Sequence, residues 1–211
     1  MLKYIAILTM LIDHINAILY NRQFEIMTLI GRFAFPLFAL MLVRNYIYYS
    51  RSFARYATRL FIFGLISQPI YMYSFGDKIY QLNIFFSLLA GLAFMYALDT
   101  KDYLLGFIAL IISIYSDYSI IGLLLIISLY YTYKIDTILS YISLFIATVA
   151  IVSPGETIIS PILFLFILLA KETLTNSTTP IYKAQPRPGV VTKYMFYAFY
   201  PLHILILGLL R

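Results

Sequence analysis

Long oily runs follow one another almost from the first residue to the last, separated by brief polar breaks. Nine such segments can be drawn, roughly Tyr4–Tyr20, Thr28–Val43, Tyr56–Tyr73, Leu82–Leu98, Tyr103–Tyr115, Ser119–Tyr133, Thr137–Val152, Ile158–Ala170 and Tyr194–Leu210. Continuous runs of this kind predict membrane helices, because only a helix satisfies its own backbone inside hydrocarbon. A β-barrel would need short alternating segments, and none is seen. The expected fold is therefore all-α: a polytopic transmembrane helical bundle of about nine helices, some short or kinked. The fifth and eighth segments would cover only about 20 Å of a roughly 30 Å core. Either they extend further than drawn, or the fifth and sixth form a re-entrant pair. Pro36, Pro69 and Pro201 fall inside segments and predict kinks. The one long polar stretch, "KETLTNSTTPIYKAQPRPGVVTK" from Lys171 to Lys193, reads as an irregular loop. No repeat interrupts residues 1–211, which are expected to form a single membrane domain.

Composition sharpens this picture. The chain is 63% hydrophobic and 11% charged, against about 25% charged in soluble domains, and its mean hydropathy is +0.90. The first run contains Asp13 and His14 and lacks a small-x-small site, so it reads as a retained span and not a cleaved signal. Cysteine is absent, which excludes a thiolate nucleophile or a Cys-based metal site. Many of the 21 tyrosines lie near segment ends, where an amphipathic ring suits the membrane interface. The net charge of +6 is spread over loops, which argues against a nucleic-acid partner.

Charge also predicts orientation. With a cytoplasmic N-terminus and nine alternating spans, the inner segments hold Lys3, Arg44, Arg51, Arg55, Arg59, Lys101, Lys134, Lys171, Lys183, Arg187 and Lys193. The outer segments hold Arg22, Lys78 and Arg211, a ratio of 11 to 3. The positive-inside rule prefers this arrangement in the cell membrane. It also makes the eighth segment a span.

Ionisable groups inside such runs are costly to bury and mark candidate sites. On a helical wheel, Thr9, Met10, Asp13, His14, Asn16, Ala17 and Tyr20 share one half of the first segment, and aliphatic residues fill the other. The Asp13/His14 face should therefore point into the bundle, with His14 near the midplane. His203, the second of only two histidines, sits at similar depth in "FYPLHILIL". Each has a plainer reading as a packing or hydrogen-bonding residue. Arg32 lies inside the second segment, one turn before Pro36. It either snorkels or pairs with Asp13, Asp117 or an anionic group. Gln68 and Asn83 lie in stripes of small residues that usually serve helix packing, yet both are expensive to bury. Asp117 falls between the two short segments, where a solvated loop residue is equally expected. Arg44, Arg51, Arg55 and Arg59 crowd "VRNYIYYSRSFARYATRLF" with no acidic residue among them. They fit phosphate recognition and also fit the positive-inside rule alone. No metal-ligating constellation is visible.

Taken in order, "LTMLIDHINAIL", "IGRFAFPLFALML", "RLFIFGLISQPIYMYSFG", "NIFFSLLAGLAFMYALD", "YSDYSIIGLLLI" and "KYMFYAFYPLHILIL" resemble the TraX family of membrane proteins. The most specific pieces are Asp-His, Gly-Arg-x-x-x-Pro and Tyr-Pro-x-His. The resemblance leaves out the seventh and eighth segments and the Lys171–Lys193 loop. It implies a membrane acetyltransferase that uses cytoplasmic acetyl-CoA as acyl donor and needs no metal. The family's namesake acetylates the N-terminal amine of conjugative pilin. The family is also distantly similar to membrane acyltransferases that O-acetylate surface sugars with a His in an early helix, a position that His14 matches. The acceptor implied is thus an amine or a hydroxyl, on pilin or on another cell-surface molecule.

The residues fit that chemistry in their own right. Acetyl transfer needs a base to deprotonate the acceptor, and a histidine is suited to it. Asp13 could orient His14 or pair with Arg32. Arg32, Gln68, Asn83, Asp117 or His203 could meet substrate or the tetrahedral oxyanion. Arg44, Arg51, Arg55 and Arg59 are the candidate contacts for acetyl-CoA phosphates. Two other classes fit the same residues: a proton-coupled transporter or flippase built on Asp13, His14 and Arg32, and an assembly factor whose polar groups only hold the bundle together.

Overall fold

The computed structural model describes residues 2–49, 52–76, 80–152, 159–176 and 190–211, and every ordered element among them is helical. The helices are α1 (Leu2–Leu19), α2 (Glu25–Gly31), α3 (Ala34–Arg44), α4 (Phe53–Phe75), α5 (Ile84–Thr100), α6 (Tyr103–Ile114), α7 (Ser119–Lys134), α8 (Ile138–Ile151), α9 (Ile159–Asn176) and α10 (Val190–Leu210). A π-helical turn, Asn45–Tyr49, continues α3. Each of the nine oily segments is helical, the second being split into α2 and α3.

The split falls at Arg32–Phe33, where the Phe33 amide closes on Ile30 O at 3.2 Å and not on the carbonyl four residues back. Pro36 then sits in the first turn of α3, where its missing N–H goes unneeded. Pro69 and Pro201, by contrast, lie inside helices that run on without a break. The expected Lys171–Lys193 loop is shorter than drawn. α9 carries helix on to Asn176 and α10 begins at Val190, while 177–189 lie outside the described residues. Polar Lys171 and Glu172 end the oily run without ending the helix. The eighth segment is accordingly longer than it looked. α6 stays short: at 12 residues it reaches about 18 Å.

The outside of the bundle is oily. Phe61, Leu65 and Ile66 on α4, Leu104 and Phe107 on α6, Ile138, Leu139 and Ile146 on α8, and Leu202, Ile206 and Leu209 on α10 are all exposed. The interior, meanwhile, holds Asn16, Thr28, Ser67, Asn83, Thr132, Thr148 and His203. An apolar exterior around polar packing residues is what lipid solvates. Exposed Tyr4, Tyr20, Tyr73, Tyr80, Tyr103 and Tyr115 cluster at helix ends, as in an interfacial belt. α1 and the α2–α3 pair are each long and apolar enough to cross a membrane.

Ring contacts fix relative directions. Tyr4 meets Phe196 and His14 meets His203, so α1 and α10 run parallel. Phe63 packs on Tyr197, and the Ser74 hydroxyl reaches Ile204 O, so α4 runs the same way. Phe35–Tyr118, Tyr46–Tyr130 and Tyr48–Tyr133 make α3 and α7 parallel to each other. Segments one, three and nine thus share a direction, as do segments two and six.

Candidate functional site

The C-terminal half of α1 is held in place by Asn16, which is fully buried. Its Nδ2 donates to Phe24 O (2.8 Å) and Thr28 Oγ1 (2.9 Å), and its Oδ1 accepts from the Phe24 amide (3.2 Å). The chain between α1 and α2 is bent by Asn21 and Arg22, both left-handed (φ 45° and 59°). This turn folds Arg22 back so that its Nη1 lies 3.3 Å from Asp13 Oδ1. α2 approaches so closely that a Cβ on Gly31 would sit 2.4 Å from Asp13 Oδ1 and 2.5 Å from Asp13 Cβ. Glycine is needed here for contact, not for backbone torsion.

Above this junction opens a cavity of about 340 Å³, within the size range of small-ligand sites. Asp13, His14, Arg22, Arg32, Asp117, Tyr71, Tyr118 and Tyr200 all reach it, with Met10, Phe35, Phe38 and Ile84 among the apolar walls. Most of the lining comes from the second half of α1, the last turns of α2, α4 and α8, the first turns of α3, α5 and α7, and the α6–α7 turn. Two carboxylates face two guanidinium groups, so the polar lining is close to neutral overall. Asp117 is anchored from several sides. The buried Tyr71 hydroxyl donates to its Oδ1 (2.9 Å), and Gln81 Nε2 donates to its backbone carbonyl (3.1 Å). Just before it, Leu82 N donates to Tyr115 O at 2.7 Å.

The two histidines meet. His14 Nδ1 lies 2.7 Å from His203 Nε2, with the rings 7° from parallel and their centroids 5.0 Å apart. That centroid spacing is about the N···N distance plus the two centre-to-nitrogen distances. The imidazoles are therefore joined edge to edge in one plane and are not stacked. His203 Nδ1 lies 2.6 Å from Phe199 O. Phe75 and Tyr200 pack edge-on against His14 (5.6 and 5.8 Å), and Phe199 stacks on His203 at 4.6 Å. His14 reaches the cavity, whereas His203 stands behind it and is 6% exposed.

Asp13, His14, Arg32 and Asp117 are thus brought together, with His203 in contact through His14. The ion pair of Asp13 is with Arg22, while Arg32 lies close enough to act on Asp13 electrostatically. Gln68 and Asn83 do not line the cavity. Gln68 Oε1 accepts from the Asn83 amide (3.0 Å) and Asn83 Nδ2 (2.9 Å), and Gln68 Nε2 donates to Gln81 O (2.8 Å). Asn83 Nδ2 also donates to Gly64 O, and its Oδ1 caps α5 by accepting from Phe85 N. These two residues clamp α4 to the start of α5.

The arginine group lies at the far end of the bundle. Arg44 Nη2 donates to Tyr49 Oη at 3.0 Å. Arg59 stacks 5.5 Å over Tyr56 and bonds the Tyr197 side chain. Arg55 is exposed in the first turn of α4, and Arg51 lies outside the described residues. Sequence reasoning did not single out Arg22 or Tyr118, and it took Tyr200 only as part of the Tyr-Pro-x-His motif and not as a site residue. Arg22 counted only as a loop charge. Among the described residues, no group of three or more His, Asp or Glu could hold a metal.

Comparison with known proteins gives a match over residues 1–211 to the family described as TraX protein. A stretch of 95 residues, 43% of this chain, is 35% identical to the probable fimbrial assembly protein FimC, serogroup H1, of Dichelobacter nodosus. That stretch covers 38% of the relative's length. No solved structure matches significantly.

Proposed function

Because this chain belongs to the TraX family, a family of pilin acetylase-type membrane proteins, we propose that it moves an acetyl group from acetyl-CoA to an amine or hydroxyl acceptor, with His14 as the general base. The observation that carries this reading is a histidine at the wall of a cavity, backed by a second ring and faced by paired charges. In the step proposed, His14 takes the proton of the acceptor N–H or O–H. As that proton leaves, the acceptor's lone pair, which a neutral amine already carries, attacks the thioester carbonyl carbon; the C–S bond then breaks, and the CoA thiolate leaves with the single proton held on His14. Arg32 and Arg22 are the cations placed to stabilise the oxyanion of the tetrahedral intermediate. Asp13 holds Arg22 in the cavity wall, and Asp117 with Tyr71 orients the acceptor. Arg44, Arg55 and Arg59 offer cations to the donor's phosphates at the opposite end, with Arg51 as a fourth from its place in the sequence.

The acceptor is a surface molecule of the pilin or fimbrial kind, a reading supported by the family and by the name of the fimbrial relative. The test is to incubate the purified, lipid-reconstituted protein with radiolabelled acetyl-CoA and follow saturable binding, slow hydrolysis and transfer to added pilin. Binding with turnover is expected. A protein that neither binds acetyl-CoA nor releases acetate from it would sink the reading.

A further inference from the structure

The geometry assigns His203 a role as the positioning residue that locks His14 in the tautomer with its base nitrogen at Nε2. This rests on the proposal that His14 is the base. The lock is built from two contacts in series, through the two nitrogens of one ring. A backbone carbonyl can only accept, so the 2.6 Å contact between His203 Nδ1 and Phe199 O requires a proton on Nδ1. A neutral His203 then has its lone pair on Nε2. The 2.7 Å contact to His14 Nδ1 must carry one proton, and that proton belongs to His14. His14 thus keeps Nδ1–H, and its lone pair is left on Nε2.

When the acceptor's proton reaches His14 Nε2, the ring becomes an imidazolium whose Nδ1–H still donates to a neutral His203. No second proton has to move, and the charge stays on the ring that reaches the cavity, not on the one 6% exposed. The triad hydrolases use a carboxylate for the same task, and spoiling the tautomer there costs about 10⁴-fold. A neutral imidazole orients the base without placing a fixed negative charge beside it in the bundle. The coplanar rings, the Phe199 stack and the edge-on Phe75 and Tyr200 contacts leave little freedom for either ring to turn.

The chain has two histidines, so uniform ¹⁵N-histidine labelling gives a spectrum of these two rings alone. In reconstituted protein without substrate, both rings should show a protonated Nδ1 and an unprotonated Nε2. In His203→Phe, which keeps a ring in the pocket but removes the acceptor, His14 should drift to the tautomer with the proton on Nε2. Its kcat should fall at least tenfold, with KM for acetyl-CoA changed less than twofold. His203→Gln, whose Oε1 can stand near the lost Nε2, should restore the Nδ1–H signal and much of kcat. A wild-type spectrum with the proton on His14 Nε2 would overturn the lock. So would His203→Phe and His203→Gln variants that are equally impaired with His14's tautomer unmoved. Failure of wild-type transfer with the expected spectrum would overturn only the acetyltransferase reading.

Discussion

His14 faces the cavity from the polar side of α1, and its replacement isolates the base from the fold around it. His14→Ala should lower acetyl transfer by about 10²–10⁴-fold, the usual contribution of a general base, with acetyl-CoA binding retained. Single-turnover transfer together with equilibrium binding of the donor reads the two effects separately. Gly31 has no chemistry of its own, but its missing Cβ makes room for Asp13. Gly31→Ala forces a carbon into a gap of 2.4 Å against the Asp13 carboxylate. Overpacking of this kind costs about 1–3 kcal/mol, and it should also push Asp13 away from Arg22. A lowered thermal midpoint in detergent, together with lost activity, is the expected pair. At this scale much of the site was legible. Asp13, His14 and Arg32 stand out as ionisable groups in oil, and all three reach one cavity. The His14–His203 bond was not legible, since it joins positions 189 residues apart; similar depth in two segments was its only trace. Arg22 was hidden for the opposite reason, because a loop arginine needs no explanation until the turn at Asn21 folds it inward.

Among the elements, two polar fasteners decide how the helices meet. Asn16 closes the α1–α2 turn with three hydrogen bonds from a fully buried side chain. Asn16→Ala strands the Phe24 amide, while the Phe24 carbonyl still accepts from Thr28 N, so it should cost about 1–3 kcal/mol, read as a lower melting temperature with Arg22 released from Asp13. The Gln68–Asn83 clamp explains why two costly amides sit in stripes of small residues: they serve α4 and α5 and not the cavity. Burial cost was readable from sequence, but the partner that offsets it was not. The same limit applies to prolines. Pro36 marks a true break because Arg32–Phe33 can turn there, while Pro69 and Pro201 are carried by unbroken helices. At the α7–α8 turn, Asp136 accepts from the Tyr141 hydroxyl and pairs with Lys171 at 3.0 Å. The Tyr141 hydroxyl, then Lys171, holds this carboxyl below the usual range. A depressed carboxylate stabilises fully above its unfolded pKa of about 3.9 and fades as pH drops through its folded value. The stability gap between wild type and Asp136→Asn should therefore be present in full at pH 7, begin to shrink below about pH 4, and close as the pH falls below the folded value. A gap that persists there would mean that Asn disturbs the turn itself.

For the whole molecule, the parallel runs of α1, α4 and α10, and of α3 and α7, are the directions that nine alternating spans require. Direction alone does not say which end faces the cytoplasm, and here charge counting still carries the argument. The 11-to-3 asymmetry predicts that Ser177→Cys is labelled from the cytoplasmic side only. Under that orientation the cavity opens outward, toward a surface acceptor, and the arginine end faces the pool of acetyl-CoA. Arg59 and Tyr71 lie on the same helix, twelve residues apart, or about 18 Å along its axis. The extended pantetheine arm of CoA can cover such a span. The phosphates would then stay at the inner end while the thioester reaches toward His14. The positive-inside rule accounts for the same arginines without any ligand, and the two explanations part on affinity. Arg55 is the cleaner probe, because it is exposed, whereas Arg59 is bound up with Tyr56 and Tyr197. If Arg55 holds a phosphate, Arg55→Gln should weaken acetyl-CoA binding by about 1.5–3 kcal/mol, the range for a hydrogen bond to a charged group. Acetyl-pantetheine lacks the nucleotide phosphates, so its binding should hardly change. Unaltered affinity for both donors would leave Arg55 a topology signal. An equal loss for both would point to damage at the start of α4 and remove the arginines from the donor site.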